Sequence, residues 1–219
     1  MKEIYLHPLP LRVWHWVNAL MIMILIVTGI RLRISGIAAL RSHDPYLVLH
    51  LYAGWAMAAS SLFWFTYAIA SGHLRRHFLM KNNDLAGILR QVRYYAISIF
   101  KGDKDPFAPS AEQKYNPLQK LAYGSVMLII VPVQVITGLC FSHIGILRGF
   151  ILYWNMAGLL DAVHVIVAYV FILYLIVHIY MATLGPTAFS HILAMITGFA
   201  ETGTDPAGEG ETLNGKVTL

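Results

Sequence analysis

Four long apolar runs constrain the fold more than any other feature of the sequence. They cover about residues 13–31, 46–71, 118–142 and 156–184. An α-helix needs roughly 20 such residues to cross the hydrocarbon core of a bilayer. Because lipid offers the backbone no hydrogen-bond partners, each run must satisfy its own backbone groups as a helix. We therefore predict an all-α integral membrane protein, a four-transmembrane-helix bundle embedded in a lipid bilayer.

The composition agrees with this fold class. Of the 219 residues, 58% are hydrophobic and only 12% are charged, whereas soluble domains carry about 25% charged residues. The net charge of +5 does not indicate a nucleic-acid partner, because the basic residues lie in loops beside the spans. We predict one membrane domain over residues 1–200 and a disordered tail over 201–219, which is rich in Gly, Glu and Thr.

The first apolar run and the loops together predict the topology. That run is longer than the core of a signal peptide, so we interpret it as a span. Nine Lys and Arg residues lie between positions 75 and 120, and one lies between spans three and four. The positive-inside rule then places both termini in the cytoplasm of a bacterium or archaeon, with the spans in its inner membrane. Arg31, Arg33 and Arg41, in the first outer linker, oppose this orientation.

Two shorter segments and one proline predict local structure. Residues 84–100 carry an apolar stripe at helical spacing, with Asp84 as a candidate N-cap. This helix suits either the cytoplasmic membrane surface or the docking of a soluble partner. The segment "TAFSHILAMITG" predicts a short helix that ends near Gly198. Pro132 is expected to kink span three.

Four histidines lie inside the apolar runs, where an ionisable side chain indicates a function. They are His15, His50, His164 and His178. The last two are 14 residues apart on one span, which separates them by ~21 Å along the helix but only ~40° around it. The alternating directions of the spans then pair His15 with His178 at one depth, and His50 with His164 at the other.

Two imidazoles that face each other in a helical bundle suit a low-spin haem b with both axial positions filled. The single cysteine, Cys140, excludes covalent haem attachment and an iron–sulfur cluster. Zinc would need three or four ligands at one level, and the spans supply only two. Two stacked haems would form an electron-transfer path across the bilayer. For each histidine alone, a structural role remains the alternative.

Small and basic residues near these histidines fit a haem. Gly29, Gly54 and Gly138 leave room for a flat macrocycle. Arg12, one turn before His15, is a candidate partner for a haem propionate or an ordinary arginine at the membrane flank. A faint repeat also relates "IVTGI" in span one to "VITGL" in span three, and each precedes a span with an early histidine.

The other histidines carry less information. His73 and His77 have the i, i+4 spacing of metal ligands, but Arg75 and Arg76 beside them favour contact with lipid headgroups. We interpret His191 as a contact for a partner. The remaining three, His7, His43 and His143, fall in leads or loops.

Several motifs together resemble the di-haem cytochrome b subunits of membrane-bound formate dehydrogenases, nickel–iron hydrogenases and thiosulfate-type reductases. The resemblance covers about residues 5–200. Its carriers are "RVWHW", His50, "YNPLQKLAY", the spacing of His164 and His178, and "TAFSHILAMITG". The four-histidine pattern is its most specific part.

This resemblance implies a function, cofactors and partners. It implies two haem b groups and a quinone, either menaquinone or ubiquinone, that binds near the cytoplasmic haem at Asn116 and Gln119. The alternative roles of these two residues are a helix-start cap and a surface amide. The implied partners are a catalytic subunit and an iron–sulfur or multihaem cytochrome subunit of the same respiratory complex. The chain would transfer electrons and hold no catalytic residue of its own.

Two other classes of function stay open on the sequence. One is a passive membrane anchor with structural histidines. The other is a proton-coupled transporter with relay histidines, which usually shows a helix broken at mid-membrane. Only Pro132 interrupts a span here.

Overall fold

The computed structural model describes residues 2–35, 44–72, 74, 84–107, 116–153, 155–185 and 187–202. Within these ranges, four helical segments are long and apolar enough to cross a membrane. They are Leu9–Ser35, Pro45–Ala70, Pro117–Ser142 and Ala157–Ala182. The predicted all-α fold with four spans is confirmed.

The helices and strands follow one another in a simple order. We name them β1 (Lys2–Tyr5), α1 (Leu9–Ser35), α2 (Pro45–Ala70), α3 (Asp84–Ala96), α4 (Pro117–Ser125), α5 (Val131–Ser142), α6 (Ile144–Tyr153), α7 (Ala157–Ala182), α8 (Ser190–Thr197) and β2 (Phe199–Thr202). A short 3₁₀ helix, Ser98–Lys101, follows α3.

Local sequence signals explain where two spans begin. The carboxylate of Asp44 accepts hydrogen bonds from the backbone of Tyr46 and Leu47, and Pro45 occupies the first turn of α2. Asn116 and Gln119 form a reciprocal capping box at the start of α4, again followed by a proline. Each cap satisfies backbone N–H groups that have no partner within the helix.

Span three is irregular just before Pro132. Residues Val126–Ile130 form a π-helical turn between α4 and α5, and the backbone N–H of Val131 bonds to the carbonyl oxygen of Val126. Proline lacks an N–H and its ring crowds the carbonyl four residues earlier, so the helix widens by one residue upstream. The sequence predicted a disturbance at this position but not its π-helical form.

The chain divides into two compact units, of which the first contains residues 1–19 and 172–219. In it, β1 pairs antiparallel with β2, from Lys2 opposite Thr202 to Tyr5 opposite Phe199. Gly198 makes this pairing possible with a left-handed φ of +94° at the end of α8. A Cβ atom there would lie 2.8 Å from the Tyr5 ring and 2.9 Å from the His7 carbonyl oxygen, so only glycine fits.

The second unit contains residues 20–171, and helix α3 packs against α4 within it. The buried face of α3 is polar: Asp84 forms a salt bridge of 3.4 Å with Lys120, and Gln91 donates to Asp105. Burial raises the pKa of the Tyr95 phenol, whose oxygen accepts a hydrogen bond from Asn116. The helix predicted over residues 84–100 is present but ends at Ala96, before the 3₁₀ helix, and Asp84 is its first residue rather than the N-cap before it.

The apolar stripe of α3 faces away from the chain. Leu85 and Leu89 are 70% and 73% exposed, and Val92 is also exposed. This arrangement leaves the stripe free for lipid or for a partner, the two roles that the sequence left open.

Helix α6 and the two-stranded sheet of β1 and β2 were not predicted. The sequence assigned residues 144–153 only to the linker between spans three and four. Strand β2 ends at Thr202 and so includes the first two positions of the predicted tail. Several predicted features lie outside the described residues: Arg41, His43, His73, Arg75, Arg76, His77 and the tail from residue 203 onward.

Candidate functional site

The first histidine pair lies in the unit formed by both ends of the chain. His15 comes from the start of α1 and His178 from the end of α7, and their ring centres are 6.2 Å apart with the ring planes at 48°. Trp16 meets His15 edge-on at 5.1 Å, and Tyr174 stacks on His178 at 5.7 Å. The aromatic neighbours hold both imidazoles in place beside each other.

This spacing fits one metal ion between two imidazoles. With metal–nitrogen bonds of about 2 Å, two rings that share one ion hold their centres roughly 6 Å apart. The Nδ1 atom of His15 is buried and has no hydrogen-bond partner among the described residues. The pair thus has the reach for a bis-histidine haem iron.

The second pair, His50 and His164, lies in the other unit and is held by threonines. Thr28 of α1 places its hydroxyl oxygen 2.8 Å from Nδ1 of His50. The hydroxyl oxygen of Thr137, on α5, lies 2.8 Å from Nδ1 of His164. Both Nδ1 atoms are engaged, which directs the Nε2 atoms to the role of ligand.

Glycines next to these threonines let the imidazoles approach the helices. A Cβ on Gly29 would lie 3.3 Å from Cε1 of His50, and one on Gly138 would lie 3.5 Å from Cε1 of His164. A Cβ on Gly54, one turn after His50, would meet no atom of the described residues within 4 Å. The two Thr-Gly pairs are the faint repeat of the sequence, and their shared geometry gives that repeat a physical meaning.

Gln134 is a residue that sequence reasoning missed. Its amide nitrogen lies 3.3 Å from Nε2 of His164, and its Oε1 atom is buried without a partner among the described residues. It occupies the side of His164 from which a metal would bind, so its amide must turn aside for that bond to form. A lone amide in an apolar span was the available signal.

Within the described residues, no third metal-ligating side chain joins either pair. Among the described residues, no group of three or more His, Cys, Asp or Glu side chains could hold a metal ion. Zinc sites use three or four protein ligands, so a set of two imidazoles does not suit zinc. Two axial nitrogens do suit haem iron, whose other four ligands come from the macrocycle.

The other predicted site residues already have partners within the chain. Arg12 donates from its guanidinium to the carbonyl oxygen of Ile196, while its Nε atom is buried without a partner among the described residues. The Asn116 and Gln119 side-chain oxygens each accept a backbone N–H in the α4 cap. For Asn116, the structure therefore shows the capping role that was its alternative.

Comparison with known proteins identifies the family. The sequence model of the family described as prokaryotic cytochrome b561 matches residues 6–198. The chain belongs to this family. As a prokaryotic cytochrome b561, it is a multi-pass membrane protein that binds haem b and transfers electrons. The predicted membership of a membrane cytochrome b family is confirmed.

One curated relative of this cytochrome b561 matches most of the chain. It is "Putative cytochrome YdhU" of Escherichia coli strain K12, 28% identical over 204 residues, which cover 90% of this chain and 75% of the relative. No solved structure matches the chain.

Proposed function

We propose that the chain binds two haem b groups, one between His15 and His178 and one between His50 and His164. We further propose that it carries electrons across the membrane between an extracytoplasmic redox partner and the quinone pool. In this role it is the membrane-anchoring electron-transfer subunit of a respiratory oxidoreductase complex.

The observation that carries this proposal is the spacing of His15 and His178. Their ring centres, 6.2 Å apart, match the separation of two imidazoles that share one iron. Neither residue forms an ion pair or lies in a larger ligand cluster among the described residues. A structural histidine in a span needs one acceptor, and it does not need a second imidazole facing it.

The threonine-held pair supports a second haem. The open space beside Gly54 leaves room for a macrocycle next to His50. Haem held by two imidazoles supplies one-electron transfer, because neither axial position is open to a substrate. The chain's own residues then position the ligands, keep water away and provide apolar walls.

The proposed orientation, with both termini in the cytoplasm, rests on the basic residues of the loops. Nine Lys and Arg residues lie between positions 75 and 120, and they outnumber the three arginines of the first outer linker. In that linker region, Arg33 lies 3.2 Å from the Asp161 carboxylate and Arg31 lies over the ring of Tyr46, at 5.4 Å.

The quinone and protein partners rest on the resemblance alone. It assigns the quinone to Asn116 and Gln119. Both side-chain oxygens are engaged in the α4 cap and the Asn116 amide donates to Tyr95, so among the described residues only the Gln119 amide nitrogen has no hydrogen-bond partner. It assigns a propionate to Arg12. It also implies a catalytic subunit and an iron–sulfur or multihaem cytochrome subunit as partners.

Electron transfer across sealed vesicles tests this function. We would reconstitute the purified protein into liposomes that contain ferricyanide and add a membrane-impermeant reductant outside. Because a path through both haems conducts in either orientation, we expect rapid bleaching of the trapped ferricyanide. The His164→Ala variant should bleach it no faster than protein-free liposomes do.

A variant outside the two pairs provides the matched control. His191 lies on α8 and faces Gly185, so His191→Ala should conduct like the wild type. Equal rates for wild-type protein and for His164→Ala would contradict transmembrane electron transfer and favour the passive anchor.

A further inference from the structure

We propose that Thr28 and Thr137 are positioning residues that fix the tautomer of His50 and His164 and thereby lower the reduction potential of the haem these histidines hold. The inference rests on the proposed function, since it requires a haem at this pair. It goes further because it names residues that set the reduction potential of one haem and states which of the two haems has the lower potential.

The direction of each hydrogen bond follows from where the threonine hydrogen goes. The Thr28 hydroxyl donates to the Ile24 carbonyl oxygen of its own helix at 2.6 Å. The Thr137 hydroxyl donates to the Val133 carbonyl oxygen at 2.8 Å. A hydroxyl has one hydrogen to give, so each oxygen can only accept from the imidazole.

This geometry selects one tautomer of each histidine. Nδ1 of His50 and of His164 must carry the hydrogen that its threonine accepts, 2.8 Å away in both cases. Nε2 then keeps its lone pair and is the atom available to iron. The neighbouring glycines, Gly29 and Gly138, let the rings come within reach of these hydroxyls.

A hydrogen bond from Nδ1 changes the ligand electronically as well as sterically. An N–H that donates to an acceptor makes the opposite nitrogen a stronger base. A stronger donor stabilises ferric iron more than ferrous iron, which lowers the reduction potential. The effect is enhanced in the low-dielectric interior of a membrane protein.

The first pair lacks this support. Nδ1 of His15 is buried and has no hydrogen-bond partner among the described residues. We therefore assign the lower potential to the haem of His50 and His164, and the higher potential to that of His15 and His178. Electrons then pass downhill from the former to the latter. With the proposed orientation, this direction delivers electrons to the cytoplasmic side.

Potentiometric titration of the haem absorbance tests the inference. We would compare the wild type with Thr28→Val and Thr137→Val, which keep the side-chain shape, and with Thr28→Ser and Thr137→Ser, which keep the hydroxyl. We expect the lower of two midpoint potentials to move to more positive values in both valine variants and to return in the serine variants. The higher midpoint should stay in place.

Thr66→Val is the matched control. The Thr66 hydroxyl also donates to carbonyl oxygens of its own helix, those of Leu62 and Phe63, but it bonds to no histidine in the described structure. This variant should leave both midpoints unchanged. A shift of similar size in Thr66→Val would overturn the assignment.

Other outcomes of the titration distinguish a failure of this inference from a failure of the proposed function. Unchanged midpoints in both valine variants, with two haems retained, would overturn the role of the threonines and leave the function standing. A shift of the higher midpoint would overturn the ordering. If the valine variants lose haem, the titration is repeated with Thr28→Ala and Thr137→Ala. Loss of haem in the alanine variants as well would show that the threonines have only a structural role. A wild type without haem would refute the function itself.

Discussion

The indole nitrogen of Trp16 donates a hydrogen bond of 3.0 Å to the carbonyl oxygen of Met195. One turn earlier, Arg12 donates to the carbonyl oxygen of Ile196. These carbonyls belong to the last turn of α8, where a helix supplies no N–H donors for its own carbonyl oxygens. The two motifs "RVWHW" and "TAFSHILAMITG", far apart in sequence, therefore bind each other and hold the start of α1 against α8.

Replacing Trp16 should loosen α8. Trp16→Phe keeps an aromatic ring beside His15 but removes the N–H that bonds to Met195. The loss of one such hydrogen bond costs about 1 kcal/mol, so we expect faster hydrogen exchange of amides in α8. Mass spectrometry of peptides from residues 190–197 measures this. Trp55→Phe, at a tryptophan that contacts His143 instead, should leave that exchange unchanged.

Replacing Arg12 distinguishes its observed hydrogen bond to α8 from its predicted contact with a haem propionate. Arg12→Gln should loosen α8 about as much as Trp16→Phe does. If Arg12 also binds a haem propionate, loss of its positive charge disfavours the reduced haem and moves the midpoint potential at His15 and His178 to more negative values. Trp16→Phe serves as the control, since it should leave that potential in place. Identical midpoints in both variants would restrict Arg12 to the contact with α8.

The open space beside Gly54 predicts a selective loss of haem. Gly54→Leu should place a side chain where no atom of the described structure lies within 4 Å of a Cβ, so the helices should fold normally. We expect the haem content to fall from two to one per chain, with unchanged helix content by circular dichroism. Gly149→Leu is the matched control, because its Cβ would also meet nothing within 4 Å but Gly149 lies on α6, in the linker to span four. Two haems in Gly54→Leu would place the macrocycle elsewhere.

The exposed stripe of α3 predicts contact with lipid. A spin label at Leu89→Cys, in a Cys140→Ser background, should relax faster with lipid-soluble oxygen than with an aqueous nickel chelate. A label at Ala86→Cys should show the reverse, because helical spacing places Ala86 on the side of Arg90 and Arg93. Power-saturation spectra of the protein in liposomes measure both. A Leu89 label that responds to the aqueous reagent would favour docking of a soluble partner.

The spans and their histidines could be predicted because both signals are local or periodic. Runs of apolar residues determine a membrane helix by length alone. The alternating direction of the spans then sorts four histidines into two pairs by depth. The structure brings His15 beside His178 without any motif that joins them in sequence.

The supporting contacts could not be predicted, because they join residues from different helices. The sequence showed a repeated Thr-Gly, but nothing in it placed Thr28 on His50 or Thr137 on His164. Gln134 was missed for the same reason. The pairing of β1 with β2 joins residues about 200 positions apart, and neither strand is long enough to leave a pattern. Helix α6 was missed because a ten-residue apolar run shows no clear period.

The most direct test of two bis-histidine haems is a pyridine haemochrome assay of haem per chain, with a reduced-minus-oxidised spectrum, in the wild type and in histidine variants. The account predicts two low-spin b-type haems in the wild type and one in each of His15→Ala, His178→Ala, His50→Ala and His164→Ala. The double variant His15→Ala/His178→Ala should also keep one haem, because both residues hold the same iron. A wild type with one haem or none, or a double variant that loses both, would contradict the two pairs.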